Sequence, residues 1–168
     1  MLRLLSLFLL SVSLLACSGS DDAGPRNGSP APAFEARFTD GSVRRFPEDF
    51  VGSPVVIDFW ADWCQYCPES MQRLERARQQ HHADGLEVLA VNVGQSADVA
   101  HRFLAKVAVS YAAVLDPGQQ ISKDYGIRGL PVSYFIDREG RVAGRILGGG
   151  SDQALSTQLQ RILPTPAP

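Results

Sequence analysis

Residues 55–68 read VVIDFWADWCQYCP and contain the strongest structural signal in the sequence. Its first part, Val55–Trp60, is apolar except for Asp58, which predicts a buried strand at the centre of a sheet. Two cysteines follow with two residues between them, and Pro68 then stands where the first turn of a helix accepts proline. A buried strand, a cysteine pair and a helix start in this order predict a dithiol site.

The pair Cys64 and Cys67 has the spacing and position that disulfide exchange requires. The free N–H groups and the positive dipole of a helix N-terminus favour a thiolate on Cys64. Cys67 can then displace a partner that is held on Cys64 as a mixed disulfide. Two other interpretations stay open. A structural disulfide is one, although so small a ring removes little chain entropy. Half of a zinc site is the other, although no second ligand pair stands elsewhere.

Helical and strand patterns alternate on both sides of this stretch. Upstream, Phe34–Phe38 and Ser42–Phe46 flank a Thr-Asp-Gly turn and predict a hairpin. Downstream, helices are predicted from Pro68, Ser96, Gln119 and Ser151, and strands over Leu86–Val93, Ala112–Leu115, Val132–Asp137 and Arg141–Leu147. The order predicts an α/β domain with a central mixed sheet, helices on both faces and an added N-terminal β-hairpin.

The N-terminus has the pattern of a secretion signal that ends in an anchor. Residues 1–16 carry Arg3 and then an apolar run shorter than the ~20 residues of a membrane span. The run ends Leu14-Leu15-Ala16-Cys17, which resembles the bacterial lipobox, where the peptide is cut before a cysteine that is then acylated. A plain signal peptide with an incidental cysteine is the alternative. Two or more acyl chains on Cys17 would anchor the protein to a membrane stably.

Composition sets the remaining boundaries. Residues 17–33 are rich in Ser, Gly, Pro and Asp, which predicts a flexible tether after the lipidated cysteine. One globular domain is predicted over residues 34–163, followed by a Pro/Ala tail over residues 164–168. The chain has 168 residues and a net charge of −2, which suits a single domain and argues against a nucleic-acid partner.

The stretch VVIDFWADWCQYC resembles the active-site region of the thioredoxin superfamily. The segments AVNVGQS, VLD, GIRGLPVSYFID and RVAGRILG are similar to the TlpA/ResA-like branch of membrane-tethered thiol–disulfide oxidoreductases. This resemblance implies a thioredoxin fold and an enzyme that acts on the disulfides or thiols of substrate proteins. It also implies a reducing role outside the cytoplasm, including apocytochrome c reduction, with a membrane protein as redox donor. We expect a monomer with neither a cofactor nor a metal ion.

Individual residues match the motifs of this family. Cys64 matches the nucleophile, Cys67 matches the resolving cysteine, and Leu130-Pro131 matches the cis-proline loop beside the dithiol. A proline there removes a backbone donor, and the neighbouring backbone can pair with an extended substrate strand. Leu130, Pro131 and Trp63 are therefore predicted to contact substrate. From the pattern alone, Pro131 is more simply a trans proline that begins a strand.

Asp58 is predicted to be the base that accepts the proton of Cys67. Alternation places it on one face with Val56 and Trp60, and from the pattern alone it is either exposed, paired or buried. It matches the buried aspartate of thioredoxin, whereas ResA-like relatives have asparagine there and a glutamate where this chain has Gln95. Burial would raise its pKa toward the working range.

The direction of electron flow stays open at this stage. Gln65-Tyr66 differs from the dipeptides of both thioredoxin and the strong oxidants, so the same site could serve a disulfide oxidase or isomerase. A third interpretation is a non-catalytic thioredoxin-fold module that binds a partner or copper, although copper carriers of similar fold space their cysteines more widely. Position 18, directly after Cys17, is serine and not the aspartate that retains lipoproteins in the inner membrane. We therefore expect the protein to be anchored on the periplasmic side of the outer membrane.

Overall fold

The structure is a computed structural model in which residues 24–163 are described, and this part of the chain contains seven strands and four α-helices. The strands are β1 (Phe34–Arg37), β2 (Val43–Phe46), β3 (Val55–Trp60), β4 (Glu87–Val93), β5 (Ala113–Asp116), β6 (Val132–Ile136) and β7 (Val142–Leu147). The helices are α1 (Cys67–Gln80), α2 (Ala97–Val107), α3 (Gln120–Asp124) and α4 (Asp152–Ile162), and short 3-10 helices cover Glu48–Phe50 and His82–Asp84. Each strand and helix predicted from the sequence is present within a few residues of its expected bounds.

The central sheet has the strand order β5-β4-β3-β6-β7. β3 is parallel to β4, and β4 is parallel to β5, whereas β6 is antiparallel to β3 and β7 is antiparallel to β6. All six residues of β3 are buried, as its apolar pattern predicts for a strand covered on both faces. The dithiol stretch therefore emerges from the middle of the sheet.

Two apolar layers cover the sheet. On one face, α1, α2 and α4 contribute buried side chains such as Met71, Phe103 and Leu159. On the other face, the β1–β2 hairpin and α3 contribute Phe46 and Ile121. The mixed sheet with helices on both faces and an N-terminal hairpin is the predicted thioredoxin fold, and the structure confirms it.

Residues 24–33 differ from the flexible tether that their composition predicts. The N–H of Gly28 donates to the carbonyl of Val142 at 2.7 Å, and the N–H of Val142 donates to the carbonyl of Ser29 at 3.0 Å. Ala31 is buried against the same edge of the sheet. These bonds satisfy backbone groups that the edge strand β7 would otherwise leave open, which is why a Pro- and Gly-rich segment is ordered here. Part of the predicted tether, residues 28–31, therefore packs on the edge of the sheet.

Several predicted features lie outside the described residues. They are the signal peptide over residues 1–16, the anchor cysteine Cys17 with the rest of the tether up to residue 23, and the tail over residues 164–168. Among the helices of residues 24–163, none has the length and apolar character to cross a membrane.

Candidate active site

Cys64 and Cys67 are joined by a disulfide at the junction of β3 and α1, with their Cα atoms 5.4 Å apart. The turn is closed by backbone hydrogen bonds, from the N–H of Cys64 to the carbonyl of Ala61 at 3.1 Å and from the N–H of Cys67 to the carbonyl of Cys64 at 3.2 Å. Cys67 is the first residue of α1 and is fully buried, whereas Cys64 retains 5% of its surface. The two sulfurs therefore differ in access: Cys64 meets solvent and Cys67 does not.

Asp58 is fully buried in the middle of β3. Its Oδ1 accepts a hydrogen bond from the Ser133 hydroxyl at 2.6 Å, and its Oδ2 has no hydrogen-bond partner among residues 24–163. Burial raises the pKa of Asp58 from its usual 3.8 to about 7, and the Ser133 hydrogen bond partly offsets that rise. An exposed aspartate is excluded, and the carboxyl can gain or lose a proton near neutral pH.

Asp58 lies on the side of the sheet that α1 covers. Its neighbours on this face, Val56 and Trp60, pack in the same apolar cluster as Cys67. Burial first and the Asp58 charge second raise the pKa of Tyr111, whose hydroxyl donates to the carbonyl of Met71 in α1 at 3.1 Å. The acid and the buried cysteine therefore share one low-dielectric layer beneath α1.

The Leu130–Pro131 peptide bond is cis, as the resemblance implies. The carbonyl of Pro131 accepts a hydrogen bond from the N–H of Gly148 at 2.8 Å, in the glycine run that follows β7. The next glycine packs on the dithiol turn, since a Cβ built on Gly149 would lie 3.6 Å from the Cβ of Tyr66. The proline loop, the glycine run and the dithiol turn therefore form one continuous surface.

Large apolar side chains are exposed around this surface. Trp63 and Tyr66 flank Cys64 in the chain, with 69% and 59% of their surfaces exposed, and Leu147 at the end of β7 is 64% exposed. Leu130 is half-buried and Pro131 is buried. Since exposed apolar groups of this size often mark contact surfaces, the placement of Trp63 suits its predicted contact with substrate.

Gln95 holds the turn that precedes the cysteines, a role that no sequence pattern indicates. Its Nε2 donates to Oδ1 of Asp62 at 2.6 Å, and its Oε1 accepts from the backbone N–H of Asp62 at 3.0 Å. The same Oε1 accepts from Nδ2 of the buried Asn92 at 2.9 Å. Gln95 thus ties Asp62, two residues before Cys64, to the end of β4. The two partners are 33 residues apart, and no local pattern indicates their pairing.

Arg73 links α1 to the glycine run. Its guanidinium donates to Oε1 of Glu69 at 2.6 Å and also to the carbonyl of Gly149, and its side chain is only 10% exposed. Glu69 and Arg73 are four residues apart on one helix, so this pairing, unlike that of Gln95 with Asp62, can be predicted from the sequence. The Glu69 carboxylate near the helix start is therefore neutralised by a neighbouring cation.

Among residues 24–163, no group of three or more histidine, cysteine or acidic side chains is arranged to hold a metal ion. The two cysteines, which a zinc site would have to use as thiolates, are bonded to each other. The chemistry that this arrangement supports directly is reversible opening of the Cys64–Cys67 disulfide.

Comparison with known proteins agrees with this geometry. Residues 27–145 match the model of the AhpC/TSA family. The thiol-disulfide oxidoreductase ResA of Bacillus subtilis is 30% identical over 137 residues, covering 82% of this chain and 76% of that protein. ResA of Geobacillus thermodenitrificans is 29% identical over 161 residues, covering 96% of this chain and 92% of that protein.

Solved structures show the same relationship. A crystal structure assigned as the thiol:disulfide interchange protein DsbE of Chlorobium tepidum is 33% identical, with a TM-score of 0.75, and the match covers 81% of this chain and 96% of that one. The chain therefore belongs to the AhpC/TSA family of the thioredoxin superfamily, in its ResA-like branch of thiol–disulfide oxidoreductases.

Proposed function

We propose that this protein is a thiol–disulfide oxidoreductase that reduces disulfides of extracytoplasmic proteins through Cys64 and Cys67. The observation that carries the proposal is the unequal burial of the pair, with Cys64 retaining 5% of its surface and both Cys67 and Asp58 fully buried. A protein disulfide can therefore be attacked by Cys64, while Cys67 acts from the interior. The likeness to ResA and DsbE supports the same chemistry.

The proposed cycle begins with the reduced pair. The Cys64 thiolate attacks one sulfur of the substrate disulfide, a mixed disulfide forms, and the other substrate sulfur leaves as a thiolate that takes a proton from solvent. Cys67 then attacks the Cys64 sulfur, the Cys64–Cys67 disulfide forms, and the second substrate sulfur leaves. Two electrons pass from the protein to the substrate, which ends with two thiols.

Asp58 is proposed as the base of the second step. The Cys67 thiol must lose its proton before it attacks, and the buried carboxylate beneath α1 can accept that proton because its pKa is about 7. The proton then passes to the departing substrate thiolate, which restores the Asp58 carboxylate. A dithiol of a membrane redox protein would reduce the Cys64–Cys67 disulfide again and complete the cycle.

A trapping experiment tests the chemistry. A Cys67→Ser variant should accumulate mixed disulfides with substrate proteins through Cys64, visible as adducts on non-reducing gels that a reductant removes. A Cys64→Ser variant is the matched control and should form none, because the buried Cys67 cannot reach a protein disulfide. If the Cys67→Ser variant formed no adducts either, a non-catalytic binding module, of a protein partner or of copper, would be the better interpretation.

The reduction potential of the pair tests the direction. We expect a value nearer the ~−270 mV of thioredoxin than the ~−120 mV of DsbA, together with a pair that is mostly reduced in cells. A potential near the DsbA value with a mostly oxidised pair would make the protein an oxidase or isomerase instead. Apocytochrome c is the first substrate to assay, because the family resemblance implies it.

We also propose that Cys17 is acylated after removal of residues 1–16 and holds the domain on the periplasmic side of the outer membrane. The lipobox-like run before Cys17 supports the anchor, and Ser18 supports the outer-membrane address. A Cys17→Ala variant should move from the membrane fraction to the soluble periplasmic fraction. A Ser18→Asp variant should stay lipidated, as shown by mass spectrometry, but should fractionate with the inner membrane.

A further inference from the structure

A groove of about 730 Å³ runs beside the cis-proline loop, between residues 126–132 and the end of β7. Its apolar wall includes Leu130, Pro131, Tyr134 and Leu147. Through Pro131, which contacts the glycine run, the groove is continuous with the surface around Cys64. An extended chain that lies in the groove and continues past Gly148 and Gly149 would run beside Tyr66 of the dithiol turn.

The charged side chains that line this groove among residues 24–163 are all basic. They are Arg128 and Arg145. A second pocket of about 340 Å³ shares Arg145 and adds Arg26 and Arg161, and its lining within the described part of the chain includes no acidic residue. The whole chain has 18 acidic and 16 basic residues. Against that balance, the four arginines and the lack of a carboxylate among the described lining residues are a local excess of basic side chains.

Arg145 is the residue common to both cavities. It stands opposite Tyr134 in the β6–β7 register, as Leu147 stands opposite Val132, so these side chains share the face of the sheet that borders the groove. Arg145 is exposed and forms no ion pair with any residue in the range 24–163. Its guanidinium can therefore bind a carboxylate of another molecule without breaking an ion pair with these residues.

We propose that this arginine groove, defined by Leu130, Pro131, Tyr134, Leu147, Arg128 and Arg145, binds an extended segment of a substrate protein that carries an acidic residue close to its disulfide. The inference rests on the proposed function, because it names the substrate feature that the same site selects. The apolar wall takes the neighbouring side chains, and a guanidinium binds a carboxylate through two parallel hydrogen bonds.

Single-turnover kinetics test the proposal. The full-length protein is reduced and then oxidised by one of two disulfide-bonded peptides that differ only at the residues flanking the disulfide, which are Glu in one and Lys in the other. We expect a second-order rate constant about fivefold higher for the Glu peptide, the upper end of what one exposed ion pair gives. The preference should shrink in 1 M salt, because salt screens exposed charges.

Matched variants assign the preference to the groove. Arg145→Gln should bring the ratio of the two rate constants close to one, whereas Arg102→Gln, at an exposed position of α2, should leave it unchanged. Equal rates for both peptides in the wild type, or a preference that survives Arg145→Gln, would overturn the inference. Neutral hydroxyethyl disulfide reports on the dithiol alone. If neither it nor a peptide oxidised the reduced protein, the proposed function itself would fail.

Two other occupants of the groove would also overturn the proposal. Asp21 and Asp22 lie just upstream of Gly24 in the sequence, and a Cβ built on Gly24 would lie 2.6 Å from the Tyr134 hydroxyl at the groove. If neutralising both acids, Asp21→Asn with Asp22→Asn, accelerated oxidation by both peptides alike, the chain's own segment would be the occupant. A dimer in sedimentation that Arg145→Gln abolished would identify a second copy.

Discussion

Asp58 and Ser133 stand opposite each other in the antiparallel register of β3 and β6, and the Ser133 hydroxyl donates to Oδ1 of Asp58 at 2.6 Å. The hydrogen bond favours the charged carboxylate, and complete burial disfavours it more strongly, so the pKa of Asp58 is about 7. This balance makes the centre of the sheet sensitive to pH in the range where thiol exchange operates.

Asp58→Asn should slow the resolving step by about 100-fold at pH 8, a typical effect of removing a positioned base. Asp58 is protonated below its pKa of about 7 and cannot accept a proton there, so the wild-type rate should rise through pH 7 and then level off. Stopped-flow oxidation of the reduced protein between pH 5 and pH 9 measures both effects. An inflection near pH 7 that persisted in the variant would exclude Asp58 as the base.

Ser133→Ala should move that inflection to higher pH without removing it. The hydroxyl stabilises the charged form of Asp58, so its loss raises the pKa of the carboxyl further. The same stopped-flow series detects the shift, and the plateau rate at high pH should remain close to that of the wild type. A shift toward lower pH would show that the serine hydroxyl does not stabilise the carboxylate.

Asp58 should also make the oxidised protein less stable as the pH rises. Its native pKa of about 7 lies above the unfolded value of 3.8, so the unfolded chain releases the proton first and the free energy of unfolding falls between about pH 4 and pH 7. About three pKa units correspond to about 4 kcal/mol as an upper bound. The free energy of unfolding of Asp58→Asn should therefore rise relative to that of the wild type over this range, and the difference should stay constant above pH 7.

Urea unfolding at intervals between pH 4 and pH 8 measures this difference. The exposed Asp98 of α2 offers the matched control, since Asp98→Asn makes the same chemical change outside the core. That control should change the free energy of unfolding only slightly. Parallel pH profiles for the wild type and Asp58→Asn would show that the native carboxyl is not held in its protonated form.

Local patterns predict the elements of this fold but not the contacts that join them. The apolar run Val55–Trp60 and the CxxC helix start are local signals, and they place the dithiol correctly. The pairing of Gln95 with Asp62 joins residues far apart in the chain, and one sequence does not contain that information. Residues 24–33 have the composition of a tether, yet the open edge of β7 orders them through backbone bonds, which composition does not encode.

Gln95→Glu should destabilise the turn before the cysteines. The Nε2 donor becomes a carboxylate oxygen facing Oδ1 of Asp62, and two like charges at that distance repel each other. Because this pair is exposed to solvent, we expect a loss of about 0.5–1 kcal/mol at pH 7, and a smaller loss at pH 4. The double variant Gln95→Glu with Asp62→Asn reverses donor and acceptor and should recover most of the stability. No recovery would show that the pair does not act through this hydrogen bond.

The segment that covers β7 should contribute measurably to folding. A variant that begins at Phe34 loses the bonds of Gly28 and Ser29 to Val142 and leaves the Tyr125 hydroxyl without its partner, the carbonyl of Pro32 at 2.9 Å. Each hydrogen bond contributes about 1 kcal/mol, so we expect its free energy of unfolding to be about 2–4 kcal/mol lower than that of a variant that begins at Gly24. Both variants lack the anchor, so urea unfolding compares the segment alone. Equal free energies would support the predicted domain boundary at residue 34, because residues 24–33 would then add no stability to the domain.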